Sequence, residues 1–91
     1  MTRTLYRHDQ QHIYEAEKPW REKAAEAGRL AAQGRLSEVR AGDAVAALVE
    51  EAKRAGYRYD TRGLWTRLNW SFLDAKREEE LAIERRARAK E

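Results

Sequence analysis

Residues 57–73 hold most of the large side chains on which this chain can close a fold. The stretch contains two of the three tryptophans, two of the four tyrosines and the only phenylalanine in a chain of 91 residues. Aromatic side chains bury a large area each and dominate the energetics of small cores. The sequence upstream is rich in alanine, and the sequence downstream is highly charged. Any folded domain must therefore pack its other segments against residues 57–73.

Apolar residues recur at steps of three and four in three segments, which predicts an all-α domain of three main helices. Alanine dominates the first repeat and would let a neighbouring helix approach closely, since the distance between helix axes depends on the side chains at the contact. The predicted inner faces are Ile13, Ala16, Trp20, Ala24, Ala27 and Ala31; then Val45, Leu48, Val49 and Ala52; and finally Leu64, Trp65, Leu68, Phe72 and Ala75.

The first repeat is interrupted by Pro19, which lacks an N–H group and clashes with the preceding helical turn. We therefore predict a short helix over 9–17, capped by Asp9, and a main helix over 19–33. A single helix kinked at Pro19 is the alternative. Gly34 is placed to end the main helix.

The second helix is predicted to follow a connection over residues 35–43, with Asp43 as its N-cap. Gly56 is expected to end it, and Tyr57 follows where the hydrophobic contact of a C-cap would lie. Asp60 is the predicted cap of the third helix.

Three regions follow from these patterns. Residues 1–8 are interpreted as an N-terminal arm, 9–73 as the helical domain and 74–91 as a charged helical extension that projects or frays. A competing hairpin over 4–14 lacks the usual turn residues. The core is small, so pairing with a second copy or another protein would add stability.

Composition excludes several classes of protein. The chain has no cysteine, and therefore neither a disulfide framework nor a thiolate metal site. No apolar run approaches the roughly 18–20 residues that a membrane span needs, and the N-terminus lacks the apolar region of a signal peptide. We therefore expect a cytoplasmic protein without membrane contact. Its net charge is only +3.

Candidates for chemistry are weak. His8, His12 and Glu15 would share a face of a continuous helix. However, no fourth metal ligand is evident, and the predicted helix starts at Asp9 and so leaves His8 outside its register. Ser37 and Ser71 lack the flanking glycines of a nucleophile elbow, and no glycine-rich phosphate loop is present. The sequence predicts no enzyme, no cofactor, no metal and no small-molecule substrate.

Protein recognition is the favoured function. Tryptophan, tyrosine and arginine are the residue types that dominate interface hot spots. In the third helix Trp70 and Leu73 lie away from the main apolar face, where they either complete the core or contact a partner. The predicted partner-binding residues are Arg62, Trp65, Arg67, Trp70 and Leu73. The partner, a second copy or another protein, would belong to a larger cytoplasmic assembly, a role that fits a phage or plasmid accessory protein.

Nucleic-acid binding is the alternative. Arginines between the aromatic residues of 57–73 would neutralise phosphates while an aromatic ring stacks on a base. Against this, residues 74–91 hold six basic and six acidic residues and have no net charge. The candidate contacts are Arg58, Arg62, Arg67, Arg85, Arg86 and Arg88.

Overall fold

The computed structural model describes residues 11–59 and 61–90, which form three helices: α1 (Gln11–Ala32), α2 (Glu38–Arg54) and α3 (Thr61–Ala89). Within these two ranges there is no strand. The prediction of an all-α domain with three main helices is confirmed. The predicted arm at 1–8 and the predicted caps at Asp9 and Asp60 lie outside the described residues.

The core lies where α2 and α3 meet α1, and α1 and α3 form the most extensive pair. Most of the predicted inner faces of α2 and α3 are confirmed, because their apolar residues are buried at helical spacing. Trp65 is the exception, with 47% of its surface exposed. The buried core consists of Ala24, Val45, Leu48, Val49, Ala52, Tyr57, Leu64, Leu68 and Phe72.

The break predicted at Pro19 is wrong: α1 continues through it as one helix. Proline at this position removes the N–H that would donate to the carbonyl of Glu15, four residues earlier. Both Pro19 and Glu15 are exposed residues, so water has access to this side of the helix. Buried residues occur on either side of Pro19, at Glu17 and Ala24, and they hold both halves of α1 against the domain.

The start predicted for the second helix is also wrong. The helix begins at Glu38, and Ser37 is its N-cap, whose hydroxyl accepts a hydrogen bond from the Arg40 N–H at 3.3 Å. Gly42 and Asp43, assigned to the connection by their residue types, lie inside α2. A serine cap satisfies one of the first free N–H groups of a helix, and the apolar repeat that follows outweighs the weak helix propensity of Gly42.

The predicted ends of the first two helices are confirmed. Gly34 and Gly56 have φ angles of 73° and 99°, values that residues other than glycine rarely adopt. At the end of α2 the Tyr57 N–H donates to the Ala52 carbonyl at 2.9 Å, and the Gly56 N–H donates to the Lys53 carbonyl at 3.1 Å. These two bonds form a Schellman motif, which turns the buried Tyr57 back onto the core.

Helix α3 has 29 residues, and is therefore about 43 Å long. Its last buried residue is Ala75. Residues 84–90 are all exposed, and the helix continues to Ala89. The C-terminal part of α3 thus extends past the buried core as a regular helix.

Candidate functional site

The most exposed large apolar side chains of the described residues lie on α3. Trp70 is 64% exposed and Leu73 is 51% exposed. They are three residues apart and therefore neighbours on the helix surface. We call them the exposed apolar pair. The residues of α3 that fill the core, Leu68 and Phe72 among them, lie on the other side of the helix.

Trp65 does not belong to this pair. It precedes Trp70 by five residues, which corresponds to a rotation of about 140° around the helix. Trp65 and Arg62 are both exposed in the first turns of α3. The structure thus brings Trp70 and Leu73 together on α3 and exposes Trp65 and Arg62 nearer the start of the same helix.

A groove with a volume of about 390 Å³ runs beside Trp70, between α1 and α3. We call it the Trp70 groove. Its lining is mainly apolar surface with a few polar groups. The lining residues are Tyr14 and Arg21 from α1 and Thr66, Arg67, Trp70, Ser71 and Asp74 from α3.

Arg21 is held in the Trp70 groove by Tyr14. Its Nη2 donates to the Tyr14 carbonyl oxygen at 2.8 Å, and its guanidinium carbon lies 3.6 Å from the centre of the Tyr14 ring, a cation–π contact. The Nε of Arg21 is buried and has no hydrogen-bond partner among the described residues. Arg21 therefore forms no ion pair with a carboxylate among the described residues.

Arg67, on the opposite wall, has a different environment. Its Nε donates to Glu17 Oε1 at 2.7 Å and to Oε2 at 3.1 Å, and its Nη2 also donates to Oε2. Glu17 is fully buried, and the Tyr57 hydroxyl donates to its Oε2 at 2.5 Å. We call Glu17, Tyr57 and Arg67 the buried polar cluster.

The buried polar cluster changes the acidity of Tyr57. Burial raises the pKa of the Tyr57 phenol, and the hydrogen bond to Glu17 and the negative charge of Glu17 raise this pKa further, while Arg67 opposes them. Trp20 and Tyr59 contact the ring of Tyr57 edge-on, at 6.4 and 5.3 Å between ring centres. The phenol therefore stays protonated and serves as a hydrogen-bond donor to Glu17.

Arg67 belongs to both predicted contact sets, the one for a protein partner and the one for nucleic acid. Its side chain is only 21% exposed and is bonded to Glu17, so we assign it to the domain interior. Sequence reasoning missed Glu17 because a charged residue on a helix is usually solvated. The signal was its spacing from Ala24 and Gly28, seven and eleven residues later, which puts all three on one face of α1. All three are buried.

The remaining predicted arginines do not form one patch. Arg58 and Arg62 lie near the start of α3, and Arg85, Arg86 and Arg88 lie near its end; all are exposed. The two groups are separated by more than 20 residues of helix, or over about 30 Å. Arg88 and Arg86 already face carboxylates of their own helix, Glu84 at 2.6 Å and Glu79 at 3.8 Å.

The structure offers little to a metal. Among residues 11–59 and 61–90, no three histidine, cysteine or acidic side chains lie together in a way that could hold a metal ion. His12 is exposed and its ring contacts Tyr59 edge-on at 5.5 Å, whereas His8 lies outside the described residues. In the described part of the chain, no helix contains an apolar segment long enough to cross a membrane.

Comparison with known proteins returns no relative: no protein-family model, curated protein or solved structure matches the chain. The candidate site therefore depends on the geometry described above. Its components are the exposed apolar pair, the Trp70 groove beside it, and the exposed residues Trp65 and Arg62.

Proposed function

We propose that this protein is a non-enzymatic binding module that attaches to a protein partner within a larger cytoplasmic assembly, as a phage or plasmid accessory protein would. The contact surface is the exposed apolar pair, with Trp65 and Arg62 at its margin. The observation that carries the proposal is the 64% exposure of Trp70. A tryptophan in a small domain normally contributes to the core.

Two features support a partner on this surface. First, Trp70 and Leu73 lie side by side, and burying two such side chains at an interface is worth roughly 1.5–3 kcal/mol each. Second, the core side of α3 is already filled by Leu64, Leu68 and Phe72, so the exposed apolar pair is not needed to close the domain. Tryptophan is also among the residues that contribute most binding energy at protein interfaces.

The alternative, nucleic-acid binding, has less support. Arg67 is engaged with Glu17, and the other candidate arginines form two separated groups, of which the second is partly neutralised by Glu79 and Glu84. Phosphate binding depends on several basic residues that act together along one surface. A protein partner is therefore better supported than a nucleic acid, and nucleic-acid binding is one outcome of the test.

The test compares the unaltered chain with Trp70→Ala and Leu73→Ala as tagged baits, after self-association has been measured by sedimentation equilibrium. We expect a protein, or a second copy, that binds stoichiometrically and reproduces its affinity when purified. Each substitution should weaken this affinity by at least about tenfold, as for an interface hot spot. Leu81→Ala, at an exposed leucine in the extension of α3, is the matched control and should bind normally.

Three results would contradict the proposal. One is retention of the partner by both Trp70→Ala and Leu73→Ala. Another is the absence of any protein partner, the chain itself included. The third is salt-dependent binding of duplex or single-stranded nucleic acid that is lost in an Arg58→Gln, Arg62→Gln double variant, which would establish the alternative instead.

A further inference from the structure

We propose that the Trp70 groove binds a carboxylate that the protein partner presents beside an apolar or aromatic side chain, and that Arg21 is the residue that contacts this carboxylate. The inference rests on the proposed function, because the groove lies against Trp70. It adds the chemistry of the ligand and a residue on α1 that sequence reasoning did not select.

Arg21 is oriented by its neighbours on α1. Its guanidinium is held in place by the Tyr14 ring at 3.6 Å and by one hydrogen bond to a neutral carbonyl. Its Nε is buried without a partner among the described residues. That Nε is shielded from solvent, so a ligand in the groove can reach the guanidinium only through its Nη atoms. The guanidinium is thus oriented by Tyr14 and has no ion pair in the described ranges, which leaves its charge to be met by a carboxylate ligand.

The two arginines of the groove differ in their partners. Arg67 has an internal carboxylate, Glu17, in a forked arrangement. Arg21 has no ion pair with any carboxylate in the described ranges, although Asp74 also lines the groove. A planar guanidinium that is already oriented binds a carboxylate through its Nη atoms and loses little side-chain entropy in doing so.

The shape and lining of the groove fit a small ligand group. The groove has a volume of about 390 Å³ and exposes more apolar than polar surface, and Trp70 is among its lining residues. These are the proportions of a small ligand site, where apolar walls provide affinity and a few polar groups fix orientation. The wider groove that continues along α1 carries charges of both signs, including Glu15, Lys18 and Glu22, and therefore selects less between ligands.

The test uses two small probes that differ in one group, N-acetylphenylalanine and N-acetylphenylalaninamide. Both present a phenyl ring, and only the first has a carboxylate. Binding is followed by ¹H–¹⁵N NMR on the unaltered chain, through the Nε–H signals of Arg21 and Trp70. Because the Arg21 Nε is shielded from water, its proton should exchange slowly enough to be observed.

We expect the carboxylate probe to shift both signals with saturation, and to bind on the order of tenfold more tightly than the amide, as expected for a charge-assisted hydrogen bond. In Arg21→Gln this difference should disappear. Arg35→Gln, which removes one positive charge from an exposed position outside the groove, should preserve it. Asp74→Asn should tighten binding of the carboxylate probe by about twofold or more, because it removes a like charge from the groove.

Several results would overturn the inference. These are equal binding of the two probes, no saturable shift up to about 50 mM probe, and weaker carboxylate binding in Asp74→Asn. If Arg21→Gln does not fold, the probe pair on the unaltered chain and the Asp74→Asn variant still decide. If the probes fail these tests but a partner still binds through Trp70, the groove is rejected as a carboxylate site and the proposed function stands. If binding of the partner depends on neither Trp70 nor Leu73, the proposed function itself is rejected.

Discussion

The two ends of the α1–α3 interface are built on opposite principles. Near the start of α1, the helices are joined by side chains, since Arg67 of α3 donates to the buried Glu17 of α1. Near the end of α1, the backbones themselves approach: a Cβ added to Gly28 would lie 2.2 Å from the Phe72 carbonyl oxygen. The first end depends on charge and hydrogen-bond direction, and the second on the absence of a side chain.

This difference predicts how each end fails. A buried ion pair adds little net stability, because removing two charges from water costs nearly as much as their attraction returns, but breaking it leaves one charge without compensation. Disturbing a close backbone contact leaves no uncompensated charge; instead, any atom added at the contact must move one of the two helices. Substitutions at the two ends should therefore differ in size and in whether a second substitution can rescue them.

The largest effect is expected for Glu17→Gln. The change keeps the shape of the side chain but leaves the Arg67 guanidinium without its counter-charge in a mostly buried site. We expect a loss of about 3 kcal/mol in the free energy of unfolding, measured by urea denaturation with tryptophan fluorescence. Glu17→Leu combined with Arg67→Met should recover more than half of the loss. Additive losses in this double variant would show that the two residues do not act as a pair.

Gly28→Ala should have the next largest effect. The new methyl group meets backbone atoms of Phe72 and Lys76, not a flexible side chain, so α1 and α3 must separate, at a cost of about 2 kcal/mol. The matched control is Gly42→Ala in α2, where an added Cβ meets nothing within 4 Å. That substitution should stabilise the protein by about 0.5–1 kcal/mol, through helix propensity. Equal effects at the two glycines would refute the close contact.

Tyr57→Phe should have the smallest effect at neutral pH, about 1 kcal/mol, because it removes one hydrogen bond to Glu17 and keeps the buried ring. The raised pKa of Tyr57 gives a second readout. Above about pH 10 the phenol ionises in the unfolded chain but not in the folded one, so unfolding releases a proton and stability falls as pH rises. Urea titrations from pH 8 to 11 should show a steeper fall for the unaltered chain than for Tyr57→Phe. Parallel curves would mean that Tyr57 is not perturbed.

Much of the fold follows from local rules. The helical repeats predicted the buried faces of α2 and α3, and the glycines at 34 and 56 predicted the ends of α1 and α2. Local rules failed at Pro19 and at Ser37, because tertiary packing holds α1 together across the proline and because a serine cap competes with an aspartate signal six residues later. Propensity is a weak prior that packing overrides.

The exposed apolar pair was within reach of the sequence, because the repeat of α3 already separated Trp70 and Leu73 from the core face. The roles of Arg67 and Arg21 were not. Both are arginines on amphipathic helices, and nothing in their neighbours along the chain distinguishes the one that pairs with a buried glutamate from the one that has no ion pair in the described ranges. Their difference comes from what the facing helix presents.

Residue spacing was thus enough to predict the three main helices, two of their ends and most of the core, since these depend on contacts within a few residues. Long-range packing decided which charged residues lie inside the domain: Glu17 bonds to Arg67, 50 positions away in the sequence, and to Tyr57, 40 positions away. Periodicity treats a charged side chain as solvated, and that rule fails wherever folding supplies a counter-charge or a hydrogen-bond donor in place of water.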